Sequence, residues 1–307
     1  MISVNSVSGG KTSAYLAKHY PADYNIFSLV CIDDYNCAPK DKGLIHYVNA
    51  KLEQFIPKYG EFIASAEDIQ TLEVMRDLEQ FLGKEIIWVR GKSFDDVIDL
   101  GTQNRLPSWA RRYCTGQLKM EPIFYWWLHS IGEKVNMRIG FRNDEFDRMI
   151  RFFNNSDPCN FSVPVSCSLK GMKRQKFETY NWRFCQMPLV KDGIDNTDVK
   201  NYWKGKTIGG NLFEERKAII FPEISNCAFC FHKTIEVLMV MAIKNRPLLQ
   251  WAASQEYKEM GTWLDSRVTY DEIIGMADKL TADELTFLQK KYSHKDASTC
   301  DTGGCHD

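Results

Sequence analysis

The run Ser8-Gly9-Gly10-Lys11-Thr12-Ser13 stands between an apolar strand over residues 2–7 and an amphipathic helix that opens near Thr12. Adjacent glycines let a backbone turn tightly and bring its N–H groups up to an anion. The helix that follows aims its dipole and its unpaired amides at the same charge. Lys11 adds a point charge, and Ser8, Thr12 and Ser13 add hydroxyl donors. A chain that begins this way is committed to a strand, a loop and a helix, and the loop reads as a phosphate cradle. Its spacing is not GxxxxGK[ST], which argues against a Walker-type kinase or GTPase.

The same alternation continues. Strands are predicted over 26–32, 86–89 and 135–139, with helices over 12–18 and 42–55, so the expected fold is α/β: a doubly wound, mostly parallel sheet with covered faces. At 307 residues the chain accommodates one large domain and an appendage. The nucleotide-binding domain is placed at 1–205. Residues 151–185, with Pro158, Pro164 and scattered aromatics, read as an irregular insertion, and Thr197 resembles an N-cap. Helical patterns over 234–252 and 271–291 define a small α-rich module at 206–295, followed by a cysteine-containing tail at 296–307.

Two further groups fall near strand ends. Asp33 and Asp34 close the second predicted strand, where an open α/β sheet binds ligands; they suit ribose, adenine or a magnesium ion, or equally a cap on the turn before Pro39. Beyond the strand at 135–139, Gly140, Phe141, Arg142, Asn143, Asp144 and Glu145 lead to Arg148. Two arginines bracketing an acidic pair fit an oxyanion site through bidentate guanidinium contacts, or a solvated helix start with local ion pairs.

Net charge is −1, from 39 basic and 40 acidic residues, so no global field draws the chain to nucleic acid, and any such contact is expected to be local or through a partner protein. With no basic leader and no long apolar run, the chain is expected to be cytoplasmic, without membrane contact.

Ten cysteines in such a setting point to buried thiols, metal ligation or redox chemistry rather than structural disulfides. Cys31 lies in an apolar run and reads as core; Cys37, Cys159, Cys167 and Cys185 have no neighbour at ligand spacing. Cys227-Ala228-Phe229-Cys230 precedes a predicted helix and suits two thiolates on one metal, or a redox pair. Cys114, Cys300 and Cys305 are the further candidates, and four thiolates would hold a [4Fe–4S] cluster or zinc equally well. His232 can replace one of them. Trp126, Trp127, Trp203 and Trp251 stand at helical spacing and read as core rather than as base-stacking platforms.

Taken together, SGGKTS at 8–13, RRYCTGQLKMEP at 111–122, GFRNDEFDR at 140–148, PLVKDGIDNTDVKNYW at 188–203 and CAFC at 227–230 resemble the phosphoadenylylsulfate (PAPS) reductase family of the PP-loop ATP pyrophosphatase superfamily. The fold implied is the Rossmann-like adenine-nucleotide alpha-hydrolase fold, and the likeness is closest to the DNA-phosphorothioation and phage-encoded branch. The resemblance implies that Ser8, Gly9, Gly10, Lys11, Thr12 and Ser13 hold the phosphates of ATP with Mg2+, or of a sulfonucleotide, in a site that also contains Gly140. Arg142, Asp144 or Glu145, and Arg148 would close over the reacting group, and Arg112 and Lys119 would add positive charge around Cys114. Cys114, Cys227 and Cys230, with Cys305 or Cys300, would hold an iron–sulfur cluster. A cysteine desulfurase or a thioredoxin-like protein would serve as sulfur or electron donor. Departures are Thr12 in place of the usual loop aspartate, a Cys114 that stands alone, and a terminal GGCHD where sulfonucleotide reductases carry a tail like ECGLH.

Three activities are compatible with these features. The first is an ATP pyrophosphatase that adenylates an acceptor for sulfur transfer. The second is a thiol-dependent sulfonucleotide reductase that uses a tail cysteine. The third is a non-catalytic, metal-stabilised nucleotide-binding module.

Overall fold

The computed structural model describes residues 1–99, 106–108, 113–155, 157–167, 175–208, 217–222, 227–264 and 268–294. Arg112, Cys300 and Cys305 lie outside the described residues, as does the whole predicted tail.

The centre is a five-stranded sheet in which every pairing is parallel. Its strands are β1 (Ser3–Ser6), β2 (Tyr24–Ser28), β5 (Ile86–Val89), β6 (Val135–Arg138) and β9 (Arg183–Gln186), in the spatial order β5-β2-β1-β6-β9. Successive strands run outward from β1 to β2 to β5, and the chain then returns to place β6 on the other side of β1. That reversal makes the carboxyl ends of β1 and β6 the topological switch point, where a doubly wound sheet opens a crevice for a ligand.

Both faces are covered. On one, Phe27 and Trp88 pack with Ala14, Leu44, Val48 and Leu72 from three helices; on the other, Val4, Ile26 and Met137 meet Phe124 and Trp127 of the helix Glu121–Ser130. Trp127, Trp203 and Trp251 are buried, as expected for core residues, and the half-buried Trp126 packs edge-on against Tyr24.

The structure departs from expectation in four places. The predicted strand at 26–32 is broken after Ser28, and β3 (Cys31–Ile32) turns aside to pair antiparallel with β4 (Ala64–Ser65). Asp33 and Asp34 therefore follow a short strand outside the central sheet. Asp34 caps the turn Tyr35–Cys37 by accepting from Asn36 N at 2.8 Å, and Asp33 N donates to Asp95.

The stretch expected to be an irregular insertion contains the end of the helix Phe146–Asn155 and an antiparallel hairpin, β7 (Asn160–Cys167) and β8 (Gln175–Asn181). Pro164 lies beside a break in the pairing register, where a missing N–H is tolerated. The cap of the helix Asn196–Trp203 is Asp195, whose carboxylate accepts from the N–H groups of Thr197 and Asp198, one residue pair ahead of the expected Thr197 cap. Finally, the predicted helices at 234–252 and 271–291 are each two. Asn245 separates Ile235–Lys244 from Arg246–Lys258, where Pro247 falls in the first turn, and Thr269 and Thr281 cap Tyr270–Ala277 and Ala282–His294.

The C-terminal helices share one core with the first half of the chain: Leu238, Leu249, Trp251 and Ile273 pack with Val30, Ile32, Ala64 and Phe94. None of the helices among the described residues is long and apolar enough to cross a membrane.

Cys31 is buried in the sheet core, and burial pushes its thiol from 9.0 up to about 12. A raised folded-state value means that the folded chain keeps a proton the unfolded chain has lost, so this contribution is complete below pH 9 and disappears as pH rises toward 12. The whole window is worth on the order of 4 kcal/mol. Denaturant midpoints are therefore expected to fall between pH 8 and pH 10.5, by less in Cys31→Ala than in the wild type.

Candidate functional site

The loop after β1 is held by its own side chains. Ser8 N donates to Ser13 Oγ at 3.0 Å, and Ser13 Oγ donates to Gly10 O at 3.1 Å. Gly9 has φ +73°, and a Cβ there would lie 2.5 Å from Thr71 Cγ2, so the first of the two glycines is fixed by handedness and by space together. Gly10 is the N-cap of the helix Lys11–His19, with extended backbone and no side chain capping it. The first helical N–H groups are left for an external acceptor. From the helix Asn196–Trp203, Trp203 Nε1 donates to Lys11 O at 2.9 Å and fastens the helix start.

β6 ends beside this loop. A Cβ on Gly140 would sit 3.5 Å from Thr12 Cγ2, so the two switch-point loops are in contact range. Arg142, buried, donates through Nη1 to Thr12 Oγ1 at 2.9 Å. Thr12 is thus a bridge between the two loops.

Both arginines of the motif carry carboxylates. Arg142 Nε lies 3.0 Å from Asp144 Oδ1, and Arg148 Nη1 lies 2.7 Å from Glu145 Oε1. The local ion pairs are formed, and yet Arg142, Glu145 and Arg148 also line the cavity above the loop. Two cations and two anions balance, so an incoming phosphate finds its net positive charge in Lys11 and the helix N-terminus. Lys11 makes no ion pair among the described residues.

The cavity has a volume of about 310 Å³ and joins this loop to a second group of residues. Cys114, Cys227 and Cys230 all line it, as do Lys119 and His232. The CxxC turn is anchored by Phe229, which packs against Phe94, Trp251 and Trp263, and by Ala228 N donating to Ala66 O at 2.8 Å. Cys114 lies two residues before a π-helical turn, Gly116–Met120, that carries Lys119; such wide turns recur at functional sites.

None of the three cysteines is in a disulfide among the described residues, and burial drives the thiol of Cys227 well above the usual cysteine range, with Lys119 opposing the shift. Their chemistry suits zinc or an iron–sulfur cluster. Among the described residues, however, no three cysteine, histidine or carboxylate side chains are gathered as one ligand set. The three thiols share the wall of one cavity.

No protein-family model, no curated protein and no solved structure matches this chain.

Of the predicted site residues, Ser8, Gly10, Lys11, Thr12, Ser13 and Gly140 line the cavity together with the arginines and thiols already named. Gly9 stands behind it against Thr71. Asp33 and Asp34 do not line it, because β3 carries them away from the switch point.

Two residues of the cavity wall were not anticipated. Glu67 is buried, with Oε1 accepting from Lys119 Nζ at 2.8 Å and Oε2 making no hydrogen bond. Its backbone bridges to Cys227, a pairing of residues 160 positions apart that no local pattern signals. Arg183 is the other, a buried cation set between Trp182 and Phe184. An arginine inside an apolar run was the signal available for it.

Proposed function

We propose that the chain is a PP-loop ATP pyrophosphatase of the PAPS reductase type, which adenylates an acceptor oxygen so that sulfur can displace AMP. The observation that carries this reading is a cavity that joins the glycine loop, at the switch point of a parallel sheet, to three cysteines. In the first step the acceptor oxygen attacks the α-phosphorus of ATP and pyrophosphate leaves. Lys11 and the open helix N–H groups receive the departing pyrophosphate, and Arg142 and Arg148 stand where charge grows on the α-phosphate. In the second step a sulfur nucleophile takes the acceptor carbon or phosphorus, and AMP leaves with the oxygen.

Magnesium would accompany ATP and neutralise its phosphates. An iron–sulfur cluster or zinc would draw on Cys227, Cys230 and Cys114, and such a group, when bound, carries or polarises sulfur. A cysteine desulfurase is a suitable sulfur source, and a nucleic-acid acceptor would require a partner, since the chain's net charge is −1.

The test is anaerobic incubation with α-labelled ATP, with iron, sulfide and zinc measured in parallel for wild type and Cys227→Ala. Labelled AMP with unlabelled pyrophosphate is the expected product, and metal is expected in the wild type only. Labelled ADP would overturn the reading. Release of sulfite from PAPS without pyrophosphate from ATP would instead establish the sulfonucleotide reductase.

A further inference from the structure

Arg183 opens β9, in register with Val135 of β6, and is 6% exposed. Its Nε donates to Pro158 O at 2.7 Å, Nη1 lies 3.0 Å from Met137 Sδ, and the guanidinium sits 4.7 Å from the Trp182 ring. All three partners are neutral. No carboxylate pairs with it among the described residues, and its Nη2 group bonds to nothing there. The same side chain lines the cavity that holds the glycine loop.

A cation buried without a counter-charge destabilises a fold by several kcal/mol, and an apolar side chain of similar volume would serve packing better. Burial accordingly lowers the affinity of this guanidinium for its own proton. The contrast with Arg142 and Arg148, each neutralised by a neighbouring carboxylate, is informative. Those two are balanced before any ligand arrives, and Arg183 is not. Its geometry is also free to act: a guanidinium has five N–H donors in a planar fork, and two are engaged here.

Position separates this group from the phosphate loop. Arg183 contacts Met137, three residues before Gly140 on the β6 path, which places it on the order of 10 Å below the switch-point crevice at the rise of a strand. One small anion cannot bridge that span, so a group held at Arg183 is separate from one held at the glycine loop.

We propose that Arg183 is the recognition group of a second oxyanion subsite, which takes a compact sulfate-, sulfonate- or phosphate-like group through its free guanidinium edge. In naming this group as part of the acceptor, the proposal rests on the adenylation reading above; the subsite itself does not require nucleotide. Arg183 becomes a specificity determinant that favours anionic acceptors over neutral ones.

The test is a sulfate titration of the full chain at ionic strength matched with chloride, following the arginine Nε–H resonances by NMR. The Arg183 signal is assigned by its loss in Arg183→Met, or in Arg183→Lys if the methionine variant does not fold. The expected result is a saturable shift of that signal, undiminished in Lys11→Ala, and an Arg183→Met protein that melts no lower than wild type. Arg183→Lys, which keeps charge but not the fork, is expected to weaken sulfate protection against thermal unfolding about tenfold in concentration. An Arg183 signal that sulfate leaves unmoved overturns the subsite. So does an Arg183→Met protein that folds but melts well below wild type, since the side chain would then serve packing. If the signal saturates while ATP yields no pyrophosphate, the subsite stands and the adenylation reading falls.

Discussion

Gly9→Ala is expected to lower stability by about 3 kcal/mol and to weaken ATP binding by at least tenfold. Two independent penalties add. With φ at +73°, an L side chain is strained by its own backbone, and the new Cβ would meet Thr71 Cγ2 at 2.5 Å. Thr71 is buried on the first turn of the helix Ile69–Leu82, and a β-branched side chain in a helix has little rotamer freedom with which to yield. The loop must move instead, and it carries the helix N–H groups and Lys11 with it. Urea denaturation and calorimetric titration with ATP measure the two effects. The double variant Gly9→Ala/Thr71→Ser separates them: it deletes the colliding methyl and leaves the backbone strain. Recovery of about half the stability is expected, and full recovery would show that handedness has no part in the choice of glycine.

Lys119→Met is expected to destabilise the fold by about 3 kcal/mol, because the Glu67 carboxylate it leaves behind is buried and has no second cation in an ion pair among the described residues. The glutamate side chain is 2% exposed and its lysine partner 28%, so the burden of desolvation falls on the anion. Glu67→Leu combined with Lys119→Met replaces the pair with apolar groups and is expected to regain most of the loss. Chemical denaturation of the two single variants and the double variant closes the cycle. A Lys119→Met protein as stable as wild type would mean that water reaches Glu67, and would remove it from the cavity wall. The same variants bear on the thiols, because Lys119 is the group that opposes the upward shift of Cys227. Loss of the lysine is expected to slow alkylation of Cys227 at pH 8.

Much of the architecture was legible because it depends on neighbours in sequence. Two glycines between a strand and a helix fix their own geometry, and the alternation of apolar strands with helices requires a parallel sheet. Other features depended on distant partners. The strand at 26–32 reads as continuous until Ala64 and Ser65 arrive to draw Cys31 and Ile32 out of the sheet, and with them went the placement of Asp33 and Asp34. The hairpin at 160–181 was hidden by its prolines, although Phe161 and Val163 alternate with polar neighbours as a strand should. In the candidate site, Lys11, Arg142 and the thiols announced themselves by motif. Glu67 and Arg183 did not, since a buried charge is recognised by what surrounds it, and those surroundings come from residues 52 and 46 positions away.

The bond from Trp203 to Lys11 O spans 192 residues. It sets an order on biosynthesis. The glycine loop leaves the ribosome before its flanking strand β6, which arrives more than a hundred residues later, and the indole that pins its helix comes later still. Until Trp203 has emerged, the nascent chain carries the sequence of the loop without the contact that fastens its helix. Any ligand capture there follows the folding of both elements and cannot guide it.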